Sequence, residues 1–337
     1  VDAGRIAGTD ALGPVSLRTT LEATLPKGGI QVRIDSLDVS RLNALGYDYT
    51  GISAAGTYSD NAFDGRIIAS DPNLNFIFQG LFNLSPSTRN AAYQFYANLG
   101  YADLNALHID RRGRSKVSFR TAANFIRTED RDLLGEVTVS GLQLENEAGR
   151  HDIGDVTVSA HANDNIHRIR LTSKFADGTY VGEKSFLDMV SDLQALVVDR
   201  ELPALNKDQA HTWSGTPYEM NFTVLDATDL LDFLAPGVYV EKNSALKLKV
   251  SREGALDVSL QSGRLALGNK FLKDVRLSFN NAGESLQADL SSPVLSLGGV
   301  ELKGNRATLF ADDNHIGLGY TFDNETDLDN RGELFLS

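Results

Sequence analysis

Side chains that could support catalysis are present in this sequence, but they do not stand in a catalytic pattern. The six histidines are His108, His151, His161, His167, His211 and His315. None of them pairs with another histidine or with a carboxylate at the spacing that a metal-binding helix requires. Ser53 lies between glycines in residues 51–56, but this segment lacks the Gly-x-Ser-x-Gly order of a nucleophile elbow. These patterns predict no nucleophile and no histidine metal centre.

The carboxylates likewise lack a catalytic arrangement. Asp327 and Asp329 have the spacing of a calcium-binding loop, but Arg331 stands at the fifth position, where an oxygen ligand is needed. Other carboxylates fall in turns such as Asp71-Pro72-Asn73, where they bond to backbone groups. We therefore expect a non-enzymatic protein with no metal and no cofactor.

The amino-acid composition excludes further classes of function. The chain has 32 Lys and Arg against 45 Asp and Glu, a net charge of −13, which repels nucleic acid and anionic membrane surfaces. The absence of cysteine excludes disulfides and thiol nucleophiles. No run of 18 apolar residues occurs, and the first residues lack the regions of a signal peptide. We expect an interior span of a longer polypeptide, with any anchor elsewhere.

Apolar and polar residues alternate along most of the chain, and this two-residue period predicts half-buried strands. Residues 246–250 form one such strand, Arg252-Glu253-Gly254 a turn, and residues 256–260 the hairpin partner. The pattern predicts a mainly β protein, and we expect an elongated, curled antiparallel sheet, since long open sheets curl to bury their apolar face.

Two segments have helical spacing instead. Ser185 is predicted to cap a helix that carries Phe186, Met189 and Leu196 on one side. A second helix is predicted to begin near Asp226 or Thr228 and to end before Pro236. We expect these one or two short helices to cap an edge or an end of the sheet.

A short motif occurs more than once. Leu-Asn-Ala-Leu stands at residues 42–45 and again at 104–107, and residues 231–234 keep part of the pattern. The motif predicts repeating units in which Leu42, Leu104 and Leu231 occupy equivalent turns. We expect one continuous repeating β-groove over 1–337, with approximate sub-segments 1–130, 131–225 and 226–337.

The apolar faces of the strands are the candidate binding surface. An ordinary closed sandwich core would account for them. Alternatively, they line a groove that is partly open to lipid acyl chains or to a hydrophobic polypeptide segment. The candidate groove residues are Leu74, Phe76, Phe78, Phe82, Val117, Phe119, Val137, Val139, Leu246, Leu248, Val250, Leu277 and Phe279.

Four segments resemble the TamB family of AsmA-like envelope proteins of Gram-negative bacteria. They are residues 42–51, 56–65, 71–80 and 97–104, which include Leu-Asn-Ala-Leu-Gly-Tyr-Asp-Tyr-Thr-Gly and Asp-Pro-Asn-Leu-Asn-Phe-Ile-Phe-Gln-Gly. The resemblance is clearest over about residues 30–130. After about residue 245 it is limited to the general sequence pattern.

The resemblance implies a β-taco, a curled sheet with an apolar groove, within a periplasmic span of a parent protein anchored in the inner membrane. It implies phospholipid transport to the outer membrane, or assembly and secretion of outer-membrane proteins. The implied partners are phospholipid acyl chains, unfolded outer-membrane protein segments and, for the parent, an outer-membrane barrel of the TamA or BamA type. Two alternatives remain. One is a rigid scaffold with a closed β core. The other is a β-sandwich ligand-binding module, for example one that recognises glycans, although the single Trp213 offers little aromatic surface.

Overall fold

The computed structural model describes residues 8–9, 11–25, 29–84, 91–128, 133–200, 202–203, 212–281, 285–323 and 330–336. Within these residues the chain forms 21 strands that belong to one sheet, together with short helices. The expected fold class, mainly β with an antiparallel sheet and short capping helices, is confirmed. The strands are β1 (Leu12–Thr24), β2 (Gln31–Ala44), β3 (Tyr47–Tyr49), β4 (Ile52–Ser59), β5 (Ala62–Asp71), β6 (Leu74–Asn83), β7 (Ala91–Asp103), β8 (Lys116–Arg127), β9 (Leu133–Asn146), β10 (Gly149–Asn163), β11 (Ile166–Ser173), β12 (Ala176–Gly182), β13 (Tyr218–Val224), β14 (Val238–Val240), β15 (Ala245–Val250), β16 (Leu256–Leu267), β17 (Lys270–Asn280), β18 (Leu286–Leu297), β19 (Glu301–Asp312), β20 (His315–Asp323) and β21 (Asn330–Leu336).

The chain divides into two compact units, Val1–Ser159 and Ala160–Ser337, and the boundary falls inside β10. In unit 1, β1 pairs with β2, β2 with β3 and β4, and each strand from β4 to β8 with the next, all antiparallel. In unit 2, the antiparallel order runs β11, β12, β13, β15 and then consecutively to β21, with β14 paired to β16.

The hairpins form where the sequence carries residues that tolerate a left-handed backbone. Asp60 and Asn61 join β4 to β5 with φ angles of 50° and 61°. Asp313 and Asn314 join β19 to β20 with φ angles of 41° and 67°. Two successive positive φ values are the signature of the tight hairpin turn whose twist matches that of the strands. These turns therefore fix the register of the sheet locally.

Both predicted helical segments are confirmed. A 3₁₀ turn (Phe186–Asp188), helix α1 (Met189–Gln194) and a π-helical turn (Ala195–Asp199) follow one another, and we call residues 186–199 the capping segment. The Ser185 hydroxyl accepts a hydrogen bond from the Leu187 backbone N–H at 3.3 Å, as a cap should. Helix α2 (Thr228–Leu234) ends before Pro236.

The predicted repeat, however, is wrong as a structural unit. Leu42 lies in β2, Leu104 in the turn after β7, and Leu231 in α2. The surrounding residues decide which local structure the motif adopts, because a four-residue motif has no strong conformational preference of its own. After β7 the Asp103 carboxylate accepts a hydrogen bond from the Ala106 N–H at 3.0 Å and turns the chain, whereas residues 42–44 continue a strand.

Candidate functional site

The predicted apolar residues of β6 share one face of the sheet. Leu74, Phe76, Phe78 and Phe82 alternate along the strand, so their side chains project to the same side. The polar residues Asn75 and Gln79 are exposed and project to the other side. The alternation read from the sequence is therefore realised in the structure.

Cross-strand pairing extends this face to β8 and β9. Phe76 lies opposite Leu99 of β7, and Leu99 lies opposite Phe119 of β8. Side chains directly opposite one another in an antiparallel pair lie on the same face. We call the resulting surface the unit 1 apolar face. Its remaining predicted members are Val117, Val137 and Val139.

Aromatic rings pack against one another at the centre of the unit 1 apolar face. The ring of Phe78 lies 6.4 Å from Phe63, 6.3 Å from Phe82 and 5.3 Å from Phe95, measured between centroids. These separations fall within the range at which aromatic pairs attract each other. Phe78 is only 8% exposed because its neighbours surround it, whereas Phe82 is 37% exposed. The face is thus closed at Phe78 and open at Phe82.

Sequence reasoning missed several rings of this cluster. Tyr93 and Phe125 stack with centroids 4.5 Å apart, and Tyr93 also contacts Phe82 at 5.2 Å. Phe63 and Phe95 complete the cluster on β5 and β7. All four lie in alternating strands, so their side of the strand could have been predicted, but their convergence depends on the register.

Glycine permits this convergence. Gly80 stands between Phe78 and Phe82 with a φ of 133°, and a Cβ atom there would lie 2.2 Å from the backbone oxygen of Gln94. No other residue fits such an approach without moving the strand. The absence of a side chain at Gly80 leaves the space beside Phe95, its partner on β7.

A buried carboxylate holds the end of the unit 1 apolar face in place. Asp71 accepts hydrogen bonds from the Tyr47 hydroxyl at 2.5 Å, the Thr50 N–H and hydroxyl at 2.8 and 2.9 Å, and the Asn73 N–H at 2.8 Å. Burial by itself raises the pKa of Asp71, but these hydrogen bonds outweigh it, and the pKa lies below its usual value. The ionised carboxylate thereby joins the β5–β6 turn to the segment around β3.

Unit 2 carries a corresponding surface, which we call the unit 2 apolar face. Leu248 of β15 lies opposite Val258 of β16, and Val258 lies opposite Phe279 of β17. The other predicted residues alternate with these along the same strands. They are Leu246, Val250 and Leu277.

The unit 2 apolar face borders a cavity of about 520 Å³ near the last strands. The leucines that line it come from five successive strands and follow the register across the sheet. They are Leu277, Leu290, Leu309, Leu318 and Leu334. Only Leu277 was predicted, and the others carry the same alternating signal.

Toward β15 the unit 2 apolar face is covered by another segment of the chain. Leu248 is 6% exposed and Val250 only 1%. Met189 and Leu196 of the capping segment pack on them, together with Trp213. The capping segment thus closes this part of the face, and Leu248 and Val250 belong to a covered core.

A buried tyrosine hydroxyl lies under the capping segment. The Tyr218 hydroxyl is buried without a hydrogen-bond partner among the described residues. Burial raises the pKa of Tyr218, and the nearby carboxylate of Asp192 raises it further. Asp192 of α1, which is also buried, accepts a hydrogen bond from the Ser214 hydroxyl at 2.9 Å.

The described part of the chain offers no cluster of three or more His, Asp or Glu residues suited to a metal ion. The segment similar to a calcium loop, around Asp327 and Asp329, lies outside the described residues, as does His211. Among the described helices, none combines the length and the apolar character needed to cross a bilayer.

The fold and the site define an antiparallel β protein in which each of two units presents an extended apolar sheet face. No protein-family model, curated protein or solved structure matches the chain.

Proposed function

We propose that this chain is a non-enzymatic span that holds phospholipid acyl chains against the apolar faces of its two units. The observation that carries the proposal is the partial exposure of these faces, with Phe82 open in unit 1 and a leucine-lined cavity in unit 2. An acyl chain needs an apolar surface and no hydrogen-bonding partner. Apolar concavities of this size are typical of small-ligand sites.

The sequence resemblance supports the cellular setting of the proposal. A TamB-like protein in the periplasm, anchored in the inner membrane, would carry lipid toward the outer membrane or assist assembly and secretion of outer-membrane proteins there. In the second case the same faces would bind unfolded outer-membrane protein segments. The parent protein would contact an outer-membrane barrel of the TamA or BamA type.

A second candidate, a rigid scaffold with a closed core, is favoured by the burial of Phe78 and Val250. The two candidates differ in what the exposed residues do. In a scaffold, Phe82 and Leu334 bind nothing, whereas in a lipid carrier they contact acyl chains.

Photo-crosslinking distinguishes these candidates. Wild-type protein is incubated with vesicles that contain a phospholipid with a photo-reactive acyl chain, and the crosslinked residues are identified by mass spectrometry. We expect crosslinks at residues of either apolar face. Phe82→Glu should remove the unit 1 crosslinks while circular dichroism stays unchanged, because a charge beside the acyl chain is costly but Phe82 reaches solvent. Phe82→Leu should retain them. Absence of crosslinks in the wild type would reject lipid carriage and favour the scaffold.

A further inference from the structure

The face of the unit 2 sheet that lies opposite the apolar face carries a second, larger cavity. Its volume is about 710 Å³, within the range of sites for small organic ligands. It spans β17 to β21, and most of its side chains alternate with the leucines of the apolar face. The two cavities lie on opposite sides of the same strands, and six residues border both: Ala288, Thr308, Leu309, Leu318, Gly319 and Glu333.

Two aromatic rings stand at one side of this cavity. Phe310 of β19 and Phe335 of β21 are 44% and 75% exposed, and the strand between them places Gly317 opposite both. A Cβ atom on Gly317 would lie 3.3 Å from the Phe335 ring, so this ring rests across the glycine. One face of the Phe335 ring therefore packs against Gly317. This packing leaves the other face of Phe335 open.

Glycines also form the floor of the cavity. Gly317 and Gly319 occupy alternate positions of β20, so both lie on the same face of the sheet. Neither has a positive φ, which means that backbone conformation does not require glycine there. A Cβ atom on Gly319 would lie 2.7 Å from the Thr308 hydroxyl oxygen, so the side chains of Thr308 and Phe335 account for the two glycines.

Polar groups surround the floor. Arg306 donates from Nε to Asp289 Oδ2 at 2.7 Å, and Arg331 donates from Nε to Glu333 Oε1 at 2.8 Å. In the described part of the chain, the second oxygen of each carboxylate has no hydrogen-bond partner. The hydroxyls of Ser278 and Thr308 complete the lining.

From this arrangement we propose that the cavity binds a neutral oligosaccharide. A sugar ring presents a face of C–H groups, which an aromatic face attracts through its negative quadrupole, and a rim of hydroxyls. The open faces of Phe310 and Phe335 suit the C–H surface. The free oxygens of Asp289 and Glu333 accept hydrogen bonds from the hydroxyls.

Charge favours a neutral glycan over an acidic one. Arg306 is already paired with Asp289, so it offers an incoming anion little net attraction. The chain as a whole carries −13, which repels polyanions. The proposal is independent of lipid carriage, because the two cavities lie on opposite faces of the sheet.

Calorimetric titration of the whole chain with four hexasaccharides tests the proposal. The neutral probes are maltohexaose, cellohexaose and N-acetylchitohexaose, and the acidic probe is hexagalacturonate. We expect at least one neutral probe to bind. Phe335→Ala and Phe310→Ala should each weaken that binding about five- to tenfold, the effect of one lost stacking contact. Asp289→Asn should weaken it as well. It leaves the fold intact, since exposed ion pairs contribute little stability.

Tyr239→Ala is the matched control, because Tyr239 is an exposed aromatic residue of unit 2 outside the cavity. This variant should bind like the wild type. The proposal fails if no neutral probe binds at millimolar concentration, if hexagalacturonate binds more tightly, or if Phe310→Ala and Phe335→Ala bind unchanged. It also fails if sedimentation shows that these two substitutions dissociate a dimer, since the surface would then contact a second copy of the chain.

Discussion

Phe78 and Phe95 lie on neighbouring strands with their ring centroids 5.3 Å apart, and this contact closes the centre of the unit 1 apolar face. Because of this closure, a substitution at Phe78 measures the packing of a buried side chain. Because Phe78 is buried, Phe78→Ala should destabilise unit 1 by about 3–5 kcal/mol. Phe82→Ala, at a partly exposed site, should cost clearly less. Urea denaturation followed by circular dichroism compares the two, and equal costs would contradict the difference in packing.

Gly80 and Gly149 allow backbone strain to be separated from steric clash. Their φ values are 133° and 136°, but a Cβ atom would meet the Gln94 oxygen at 2.2 Å in the first case and nothing within 4 Å in the second. Gly149→Ala should cost only the strain, about 1–3 kcal/mol. Gly80→Ala adds the clash, which raises the cost by a further ~1–3 kcal/mol. Thermal or urea unfolding of both variants gives the difference, and a larger cost at Gly149 would refute the close approach.

Asp71 makes the stability of unit 1 depend on pH. Its pKa in the folded protein lies below its usual value, so its contribution is fully present above about pH 4, the unfolded value, and is lost as the pH falls through the folded pKa. Asp71→Asn should therefore destabilise the protein at pH 7 by about 1.5–3 kcal/mol, the value of a hydrogen bond to a charged group. This difference should shrink below about pH 4. A constant difference from pH 7 to pH 2.5 would contradict the role of the ionised carboxylate.

The capping segment can be tested with the single tryptophan, because Trp213 packs against the same cluster. The Leu196 side chain is buried, with 3% exposed. Leu196→Ala should therefore lower the free energy of unfolding by about 2–5 kcal/mol. Leu187→Ala is the control. Its side chain is 56% exposed and should change stability by less than about 0.5 kcal/mol. The midpoint of urea unfolding, read from Trp213 fluorescence, distinguishes them, and equal midpoints would show that the segment does not stabilise this cluster.

Two tyrosines under the capping segment should respond oppositely to loss of their hydroxyls. The Tyr180 hydroxyl donates to the Lys184 carbonyl at 2.9 Å, so Tyr180→Phe should cost about 0.5–1.5 kcal/mol. The Tyr218 hydroxyl is buried without a described partner, so Tyr218→Phe should be neutral or stabilising. Unfolding midpoints of both variants test this contrast. A destabilised Tyr218→Phe would indicate a partner outside the described residues.

Much of the fold follows from the sequence because the deciding signals are local. Alternation predicted the hairpin of β15 and β16, and Ser185 predicted the start of the helical segment. Each of these depends on residues within one or two turns of chain. Alternation also assigned the candidate groove residues to a common side of their strands.

Only the tertiary structure decided which of these apolar side chains are exposed. Leu246, Leu248 and Val250 carry one sequence pattern, yet Leu248 and Val250 are covered by the capping segment and Leu246 is half-buried. The motif shared by Leu42 and Leu104 likewise forms a strand in one place and a turn in the other. Periodicity fixes the side of a strand on which a residue lies. Which distant segment packs on that side depends on contacts between residues far apart in the chain, and a local pattern does not specify them.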